Sequence, residues 1–568
     1  MPPQDQPYLA LIGAGSMGGG MACLFASPKA RCRVSVYDVE KDNVDNVRKM
    51  VEGAEEVPED QVWYFVGEEQ LKACVDSLVE GDEGRRRILI LSLPHGKVVD
   101  SVLEKLAPLL KEGDIILDGD NEWWKETERR QKWLKEKHGV DLIGMGVSRV
   151  LPRHGPSMSP GGARQAYDYV EPILKAVAAQ DPDSGEPCTA YVGEGGSGHH
   201  VKMVHNGIEQ GILSAVTETF DILHRTLGYS AQEISALFAR WNSKGRPLET
   251  NFLVEIGSEI AKRKEAAGTS KSAPSAVDDI EDKVTQDVDN SEGTGVWTNK
   301  EWAERHVPAP TIALAHCLRL ASSNKGERLK VAKKLGIAQP RERVEWKGKT
   351  REQVEATLEK ALYGASLASF AQGCDLIAES ERQQQWGVSM ETVIQIWRGG
   401  CIITSLHIAR LFQDAYRRQP NLSNILLDEK VAEELAGTFE ALKEVVAFSI
   451  ETDAVASAFS ASLEYMKMEG TELLPTCDFK DPVSLLAVSK RGLEEFAEKV
   501  GSWEDLFTKS GAELREAGMT IKQSKYCLWL LEKYRQGFNP AVVAIPPKPK
   551  KKFRGWGPKI QHGVRVKR

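Results

Sequence analysis

Tyr8-Leu9-Ala10-Leu11-Ile12-Gly13-Ala14-Gly15-Ser16-Met17-Gly18 decides the fold. Five apolar residues read as a buried strand, and they run directly into G-x-G-x-x-G at the mouth of a helix. Glycine is required there on physical grounds. The backbone must turn tightly, a pyrophosphate must approach it closely, and the helix N-terminus must face the phosphates. Taken alone the motif is weak, since a glycine-rich loop can arise by chance. A second strand, Arg33-Val34-Ser35-Val36-Tyr37, ends in Asp38, 20 residues past Gly18. A carboxylate at that spacing accepts hydrogen bonds from the adenosine ribose hydroxyls and repels a 2′-phosphate. The expected dinucleotide contacts are Gly13, Gly15, Ser16, Met17, Gly18 and Asp38, and NAD is favoured over NADP.

Working outward, Arg87–Pro94 and Asp114–Asp118 read as strands and Val98–Leu110 as an amphipathic helix, an alternation that predicts a parallel, doubly wound sheet. Asp118-Gly119-Asp120-Asn121 lies at a strand's C-terminal end, where such sheets bind ligands. Asn121 is a candidate cofactor contact, and turn chemistry explains an Asn there equally well. Gly144–Ser148 and Gly155–Gly162 read as the two ends of a loop of small residues, whose N–H groups suit an anion.

The next informative stretch is Gly196-Ser197-Gly198-His199-His200-Val201-Lys202-Met203-Val204-His205-Asn206-Gly207-Ile208-Glu209-Gln210. At about 100° per residue, Lys202, Asn206 and Glu209 share one stripe, while Val201, Val204 and Ile208 face elsewhere and can anchor the helix in a core. A base, an amide and an acid on one stripe is a catalytic pattern. It is also what an ordinary solvated helix face looks like.

From Val201 onward the pattern is helical: Val204–Leu227, Ser230–Trp241, Asn251–Arg263, Thr350–Glu379 and Met390–Ala415 carry apolar residues at three- and four-residue spacing. Ala267–Asp289 reads as an exposed insertion, and Leu528–Tyr534 as one more helix. The fold class is therefore an α/β Rossmann-type, doubly wound sheet followed by a large all-α domain. The expected domains are 1–193, 194–500, and a C-terminal extension 501–568 with a mobile basic tail.

Hydrophobic residues at 41% and charged residues at 27% fit a soluble globular protein, and the net charge of −8 argues against general nucleic-acid binding. Lys548–Arg568 nevertheless contains Lys and Arg but no Asp or Glu. Nine cysteines without a C-x-x-C pair predict a reduced, cytoplasmic protein with no disulfide framework, and no metal site is expected. The strand pattern starts at Tyr8 and leaves no room for a leader, and no apolar run approaches the roughly 18 residues of a membrane span.

With cradle, loop and helix in order, the chain resembles the decarboxylating 6-phosphogluconate dehydrogenase family, within the β-hydroxyacid dehydrogenases. The likeness covers most of residues 8–500. It is carried by Leu11–Gly18, by Val201–Glu209, by Gly293-Thr294-Gly295 with Trp297-Thr298, and by Ala361-Leu362-Tyr363, Ala371-Gln372-Gly373 and Trp397–Ile403. The resemblance implies an NAD(P)-dependent oxidative decarboxylation of a sugar-derived 3-hydroxy acid, in the pentose phosphate shunt, by a homodimer. Lys202 would act as base and then acid, Glu209 as the protonating acid, and Asn206 as an orienting donor. Ser148, His205, Gln210 and Thr294 would bind substrate.

Departures from the family pattern matter as much. Asp38-Val39-Glu40 stands where the family has Asn-Arg-Thr, which again favours NAD. Where the family grips the substrate phosphate, this chain has Gln210, Glu292, His316, Lys490 and Phe496, and its substrate loop reads Ser148-Arg149-Val150. Arg149 and Arg153 are possible replacements. The expectation is that 6-phosphogluconate is a poor substrate and a less charged 3-hydroxy acid a better one. Two rivals stay open: a β-hydroxyacid dehydrogenase that stops at the ketone, and a dinucleotide-binding scaffold without activity.

Overall fold

The computed structural model describes every residue except 1–6, 55–56, 80–84, 149–154, 264–292, 324, 337–342, 471–478, 480, 537, 549–559 and 566–568. The insertion expected at Ala267–Asp289 and the residues Arg149, Val150, Arg153 and Glu292 thus lie outside the described residues. The basic tail lies mostly outside them.

The first seven strands form one sheet: β1 (Tyr8–Ile12), β2 (Arg33–Asp38), β3 (Val62–Val66), β4 (Ile88–Leu91), β5 (Ile115–Asp118), β6 (Asp141–Ser148) and β7 (Ser157–Gly161). Their order is β3-β2-β1-β4-β5-β6-β7, parallel from β3 through β6, with β7 antiparallel at the edge. The order reverses at β1, placing a crevice beyond the C-terminal ends of β1 and β4. Val34, Val36, Leu89, Ile90, Ile115 and Ile116 are completely buried, as expected of a sheet covered on both faces. The helices α1 (Ser16–Ala26), α2 (Lys41–Glu52), α3 (Leu71–Asp76), α4 (Lys97–Leu106), α5 (Trp124–His138) and α6 (Arg164–Val177) accompany it.

Gly144–Ser148 and Gly155–Gly162 bracket residues 149–154, which lie outside the described residues, and the bracketing stretches are themselves mostly strand. They form β6 and β7, whose backbones pair with each other from Gly144↔Gly161 to Ser148↔Ser157. Their small side chains serve close packing. A Cβ on Gly198 would stand 2.1 Å from the Gly144 carbonyl oxygen, and one on Gly161 would stand 2.3 Å from Ser197 Oγ. The helix that follows can lie on these strands only because the glycines leave room.

That helix is α7 (Ser197–Asp221), which runs on into a π-helical turn at Ile222–Thr226. Around it stand α8 (Ala231–Trp241), α9 (Phe252–Lys262), α10 (Thr294–Glu304), α11 (Pro310–Ser322), α12 (Lys325–Leu335) and the 34-residue α13 (Arg351–Gln384). They are followed by α14 (Met390–Ile396), α15 (Leu406–Arg418), α16 (Glu429–Ala436), α17 (Phe439–Glu451) and α18 (Ser457–Gly470). Val201, Val204 and Ile208 are fully buried in the core that α7 shares with α13. The single helix expected over Met390–Ala415 is two, split by a turn over 397–405. There Gly400 has a φ of +67° and its carbonyl accepts the Ser157 N–H at 2.9 Å.

The chain divides into two compact units at Glu469/Gly470, not at the expected boundary of 500. The second unit holds α19 (Pro482–Ala487), α20 (Ala497–Val500), α21 (Trp503–Thr508), α22 (Gly511–Glu516), α23 (Ile521–Arg535) and α24 (Pro540–Val543). Its core joins Leu485, Leu493 and Val500 to Leu506, Leu514 and Leu531, so a cut at 500 would divide one hydrophobic cluster.

Candidate active site

The cradle forms as its glycines require. Gly13 has a φ of +104°, and a Cβ on Gly18 would meet the Gly13 carbonyl oxygen at 2.2 Å. A Cβ on Gly15 would meet nothing within 4 Å, so open space adjoins the N-terminus of α1, where Ser16 and Met17 are exposed in the first turn. This space fits a pyrophosphate on the helix N-terminus. Asp38 caps the end of β2: one carboxylate oxygen accepts the Ala14 N–H at 2.8 Å and the Asn43 amide at 3.2 Å, the other the Glu40 N–H at 2.9 Å. Three donors hold the carboxylate beside the glycine turn.

At the end of β5, Asn121 is exposed, while Asp118 and Asp120 are buried. Asp120 accepts the Leu93 N–H, and Glu122 accepts the Gly96 N–H at 2.9 Å and pairs with the buried Arg130. These carboxylates tie the loop after β4 to the loop after β5. Asn121 stands out in sequence as a polar side chain at a strand end, whereas the clamping by Asp120 and Glu122 does not, because a buried acid in a Gly-Asp-Asn turn has no local signature.

Lys202, Asn206 and Glu209 lie on one stripe of α7, and Lys202 is buried against β6. Burial disfavours its ammonium form and pushes its pKa down, while the charge of Glu209 and the neighbouring Cys401 push it back up. A lysine so placed can accept a proton near neutral pH. His205 is buried beside it, and desolvation, then the Lys202 charge, hold its pKa well below the ordinary value. Neutral His205 donates from Nδ1 to the Asn206 side-chain oxygen at 2.9 Å, leaving Nε2 to accept from Ser148 Oγ at 3.4 Å. The Asn206 amide donates to Thr294 Oγ1 at 3.2 Å. Ser148, His205, Asn206 and Thr294 thus form one relay from β6 through α7 to α10.

Gln210 lies two turns beyond Lys202, about 12 Å along the axis. Its side-chain oxygen meets His316 Nδ1 of α11 at 3.2 Å, and a Cβ on Gly295 would collide with both residues. This end of the site therefore presents an amide and an imidazole. Among the described residues no group of three or more His, Cys, Asp or Glu side chains could hold a metal ion.

Comparison with known proteins adds independent findings. Residues 8–193 match the NAD binding domain of 6-phosphogluconate dehydrogenase, and residues 198–478 match the C-terminal domain of that enzyme. Residues 473–537 match the SAM domain of the small ribosomal subunit protein mS41. The decarboxylating 6-phosphogluconate dehydrogenase of Emericella nidulans is 42% identical over 471 residues, spanning 81% of this chain and 92% of that one. The decarboxylating enzyme 1 of Spinacia oleracea is 38% identical over 391 residues, 68% of this chain and 78% of that one. The solved structure of Plasmodium falciparum 6-phosphogluconate dehydrogenase, studied in apo form and with NADP+ or 6-phosphogluconate, superposes with a TM-score of 0.71 at 30% identity, covering 85% of this chain and 95% of that one.

Proposed function

The chain belongs to the 6-phosphogluconate dehydrogenase family, and from that membership we propose that it oxidises and decarboxylates a sugar-derived 3-hydroxy acid on the stripe of α7, a reaction of the same kind as the oxidative decarboxylation of the pentose phosphate pathway. One observation carries the reading: a buried lysine with depressed pKa stands on the same helix stripe as an amide and a carboxylic acid, on a helix laid against a dinucleotide-type sheet. A nicotinamide dinucleotide held at Gly13–Gly18 and Asp38 would supply the acceptor for the hydride of the substrate carbinol carbon. Neutral Lys202 takes the proton from the hydroxyl oxygen and holds it as an ammonium. That ammonium then polarises the new carbonyl as the carbon–carbon bond to the carboxylate breaks and carbon dioxide leaves. Glu209 delivers a proton to the carbon that bore the carboxylate. Asn206, fixed by His205 and Thr294, orients the substrate hydroxyl.

Finer points belong to the same proposal. NAD is the preferred cofactor, because Asp38 offers a carboxylate at the ribose position and Val39 beside it is exposed and uncharged. A homodimer is supported by α12, which buries none of its residues and exposes Leu329, Val331 and Leu335. A patch of that kind usually marks an association surface. A cytoplasmic site of action rests on the composition, nine cysteines scattered along the sequence without a C-x-x-C pair. For the substrate, the Gln210–His316 pair makes a weak handle for a phosphate dianion, which prefers several charge-assisted bonds. A less charged aldonate is therefore the better substrate. Steady-state kinetics with NAD and a panel of phosphorylated and unphosphorylated aldonates tests this: higher kcat/KM for the unphosphorylated acids is expected, and a micromolar KM for 6-phosphogluconate with no turnover of the others would overturn it.

A further inference from the structure

The net charge of −8 conceals a division. Residues 470–568 carry 19 Lys and Arg against 11 Asp and Glu, while residues 1–469 carry 55 against 71. The second unit is thus a cation of about +8 attached to a strongly acidic enzyme. Nine of its basic residues fall in 548–568 with no acid among them, so residues 470–547 are close to neutral and the excess is concentrated after α24.

Helix α23 has one acidic residue, Glu532, and Arg535 pairs with it at 3.4 Å. Lys525, Trp529 and Lys533 follow at intervals of four, which places them along one face, and Lys522 lies one turn before Lys525. Lys522 and Lys525 are exposed, and Trp529 and Lys533 are half-buried. The Trp529 ring stacks with Tyr526, centroids 5.4 Å apart and planes 25° from parallel, and the Arg491 guanidinium lies over Tyr526 at 3.7 Å. The chain after α24 is fastened to this same place: the Ile545 N–H donates to Tyr526 Oη at 2.8 Å, and Arg491 Nε donates to the Ile545 carbonyl at 2.8 Å. Exposed Lys548 follows three residues later. Lys548, where the cation-rich stretch begins, therefore lies three residues from a point fastened to a face that already alternates lysine with a stacked aromatic pair.

We propose that this face, Lys522, Lys525, Trp529 and Arg491 with Lys548, binds single-stranded RNA, the lysines meeting backbone phosphates and Trp529 stacking on a base. The proposal rests on reading residues 470–568 as a module separate from the dehydrogenase, and it is independent of which acid the dehydrogenase oxidises. An anionic membrane or an acidic protein would attract the charge without offering a planar ring to stack on the aromatic pair, whereas every nucleobase has a π-face to lay on it. Strand-tracking cations combined with an aromatic platform is the general chemistry of such sites.

Fluorescence anisotropy of the full chain with a labelled 20-nucleotide single-stranded RNA, from 50 to 200 mM salt, tests it. Binding should weaken with salt at a log–log slope of about −0.7 for each phosphate contacted. Lys522→Ala with Lys525→Ala should make that slope shallower by roughly 1.4. Trp529→Ala should lower affinity about tenfold, in line with the loss of one stacked base, and Trp529→Phe should restore most of it. Dehydrogenase turnover should be unchanged in every variant. Three results would overturn the proposal: no RNA binding at 100 mM salt, full affinity retained by Trp529→Ala and the double lysine variant, or tighter binding to phosphatidylserine vesicles than to RNA.

Discussion

Gly146 of β6 lies against the root of the Lys202 side chain, so that a methyl group on Gly146 would stand 2.2 Å from Lys202 Cβ and 2.6 Å from Ser159 Oγ. The position of the proposed base is therefore set by an absent side chain on a neighbouring strand. Gly146→Ala should push Lys202 off the stripe and reduce kcat by about 10²-fold, the scale of a 1 Å misplacement in an active site. Dinucleotide affinity should change little, because the cradle lies at β1 and β2. Steady-state kinetics beside a fluorescence titration of NAD separates the two effects, and an unaltered kcat would show that the close approach is not needed.

Lys202→Met shortens the side chain by one atom, keeps its unbranched shape and removes the base. Turnover should fall about 10²- to 10⁴-fold, as is usual when a general base is lost. Cofactor binding should persist. Activity within tenfold of the parent would assign the proton transfer to another group.

Asp38 is held by Ala14, Asn43 and Glu40 in an orientation suited to ribose hydroxyls. NAD should bind at least tenfold more tightly than NADP, whose 2′-phosphate would face that carboxylate. Asp38→Asn should narrow the ratio by admitting NADP. Competitive titration of the two cofactors checks both statements, and a preference for NADP in the parent chain would refute the first.

Two buried carboxylates give the stability a pH dependence. Glu218 of α7, raised by burial to about 7, accepts the N–H groups of Ala458 and Phe459 at the start of α18. Asp375 of α13, raised by burial to about 8 with Glu469 adding to the shift, accepts the Ile425 N–H at 2.8 Å and the Tyr465 hydroxyl at 3.4 Å. A carboxyl whose folded pKa is raised contributes stability that is complete below its unfolded pKa and is lost as pH rises through the folded one. The loss should therefore extend from about pH 5 to about pH 8. Glu218→Gln removes one titrating group while leaving an oxygen to accept the α18 N–H groups. Its melting temperature relative to the parent should rise between pH 6 and pH 8.5 by about 1 °C. A difference that is constant across that range would show that Glu218 does not titrate there.

Much of this molecule could be read from sequence, and the failures have a common cause. Gly13–Gly18 and Asp38 announced themselves because each does one backbone or ribose task at a fixed spacing. The stripe of Lys202, Asn206 and Glu209 followed from helical geometry alone. β6 and β7 do not show as strands in sequence because Gly144, Gly146, Pro160 and Gly161 are turn formers by composition. In the fold their smallness is imposed by α7, a long-range packing demand with no local sign. The boundary at 470 leaves no sign in sequence because α19 to α22 are four to six residues long, too short for an apolar period to show. The Gln210–His316 contact joins residues 106 positions apart and could be found only once α7 and α11 were side by side.

The central claim is that Lys202 and Glu209 carry out an oxidation followed by loss of carbon dioxide, and it is tested most directly by stoichiometry. With a C1-labelled aldonate turned over in the presence of NAD, labelled carbon dioxide and reduced cofactor are measured in the same sample. One carbon dioxide per reduced cofactor is the predicted result, with Glu209→Gln still releasing carbon dioxide but forming the ketone product slowly, because the enol left after the carboxylate departs is no longer protonated. Reduced cofactor formed without carbon dioxide by the parent chain would contradict the account and identify a dehydrogenase that stops at the ketone.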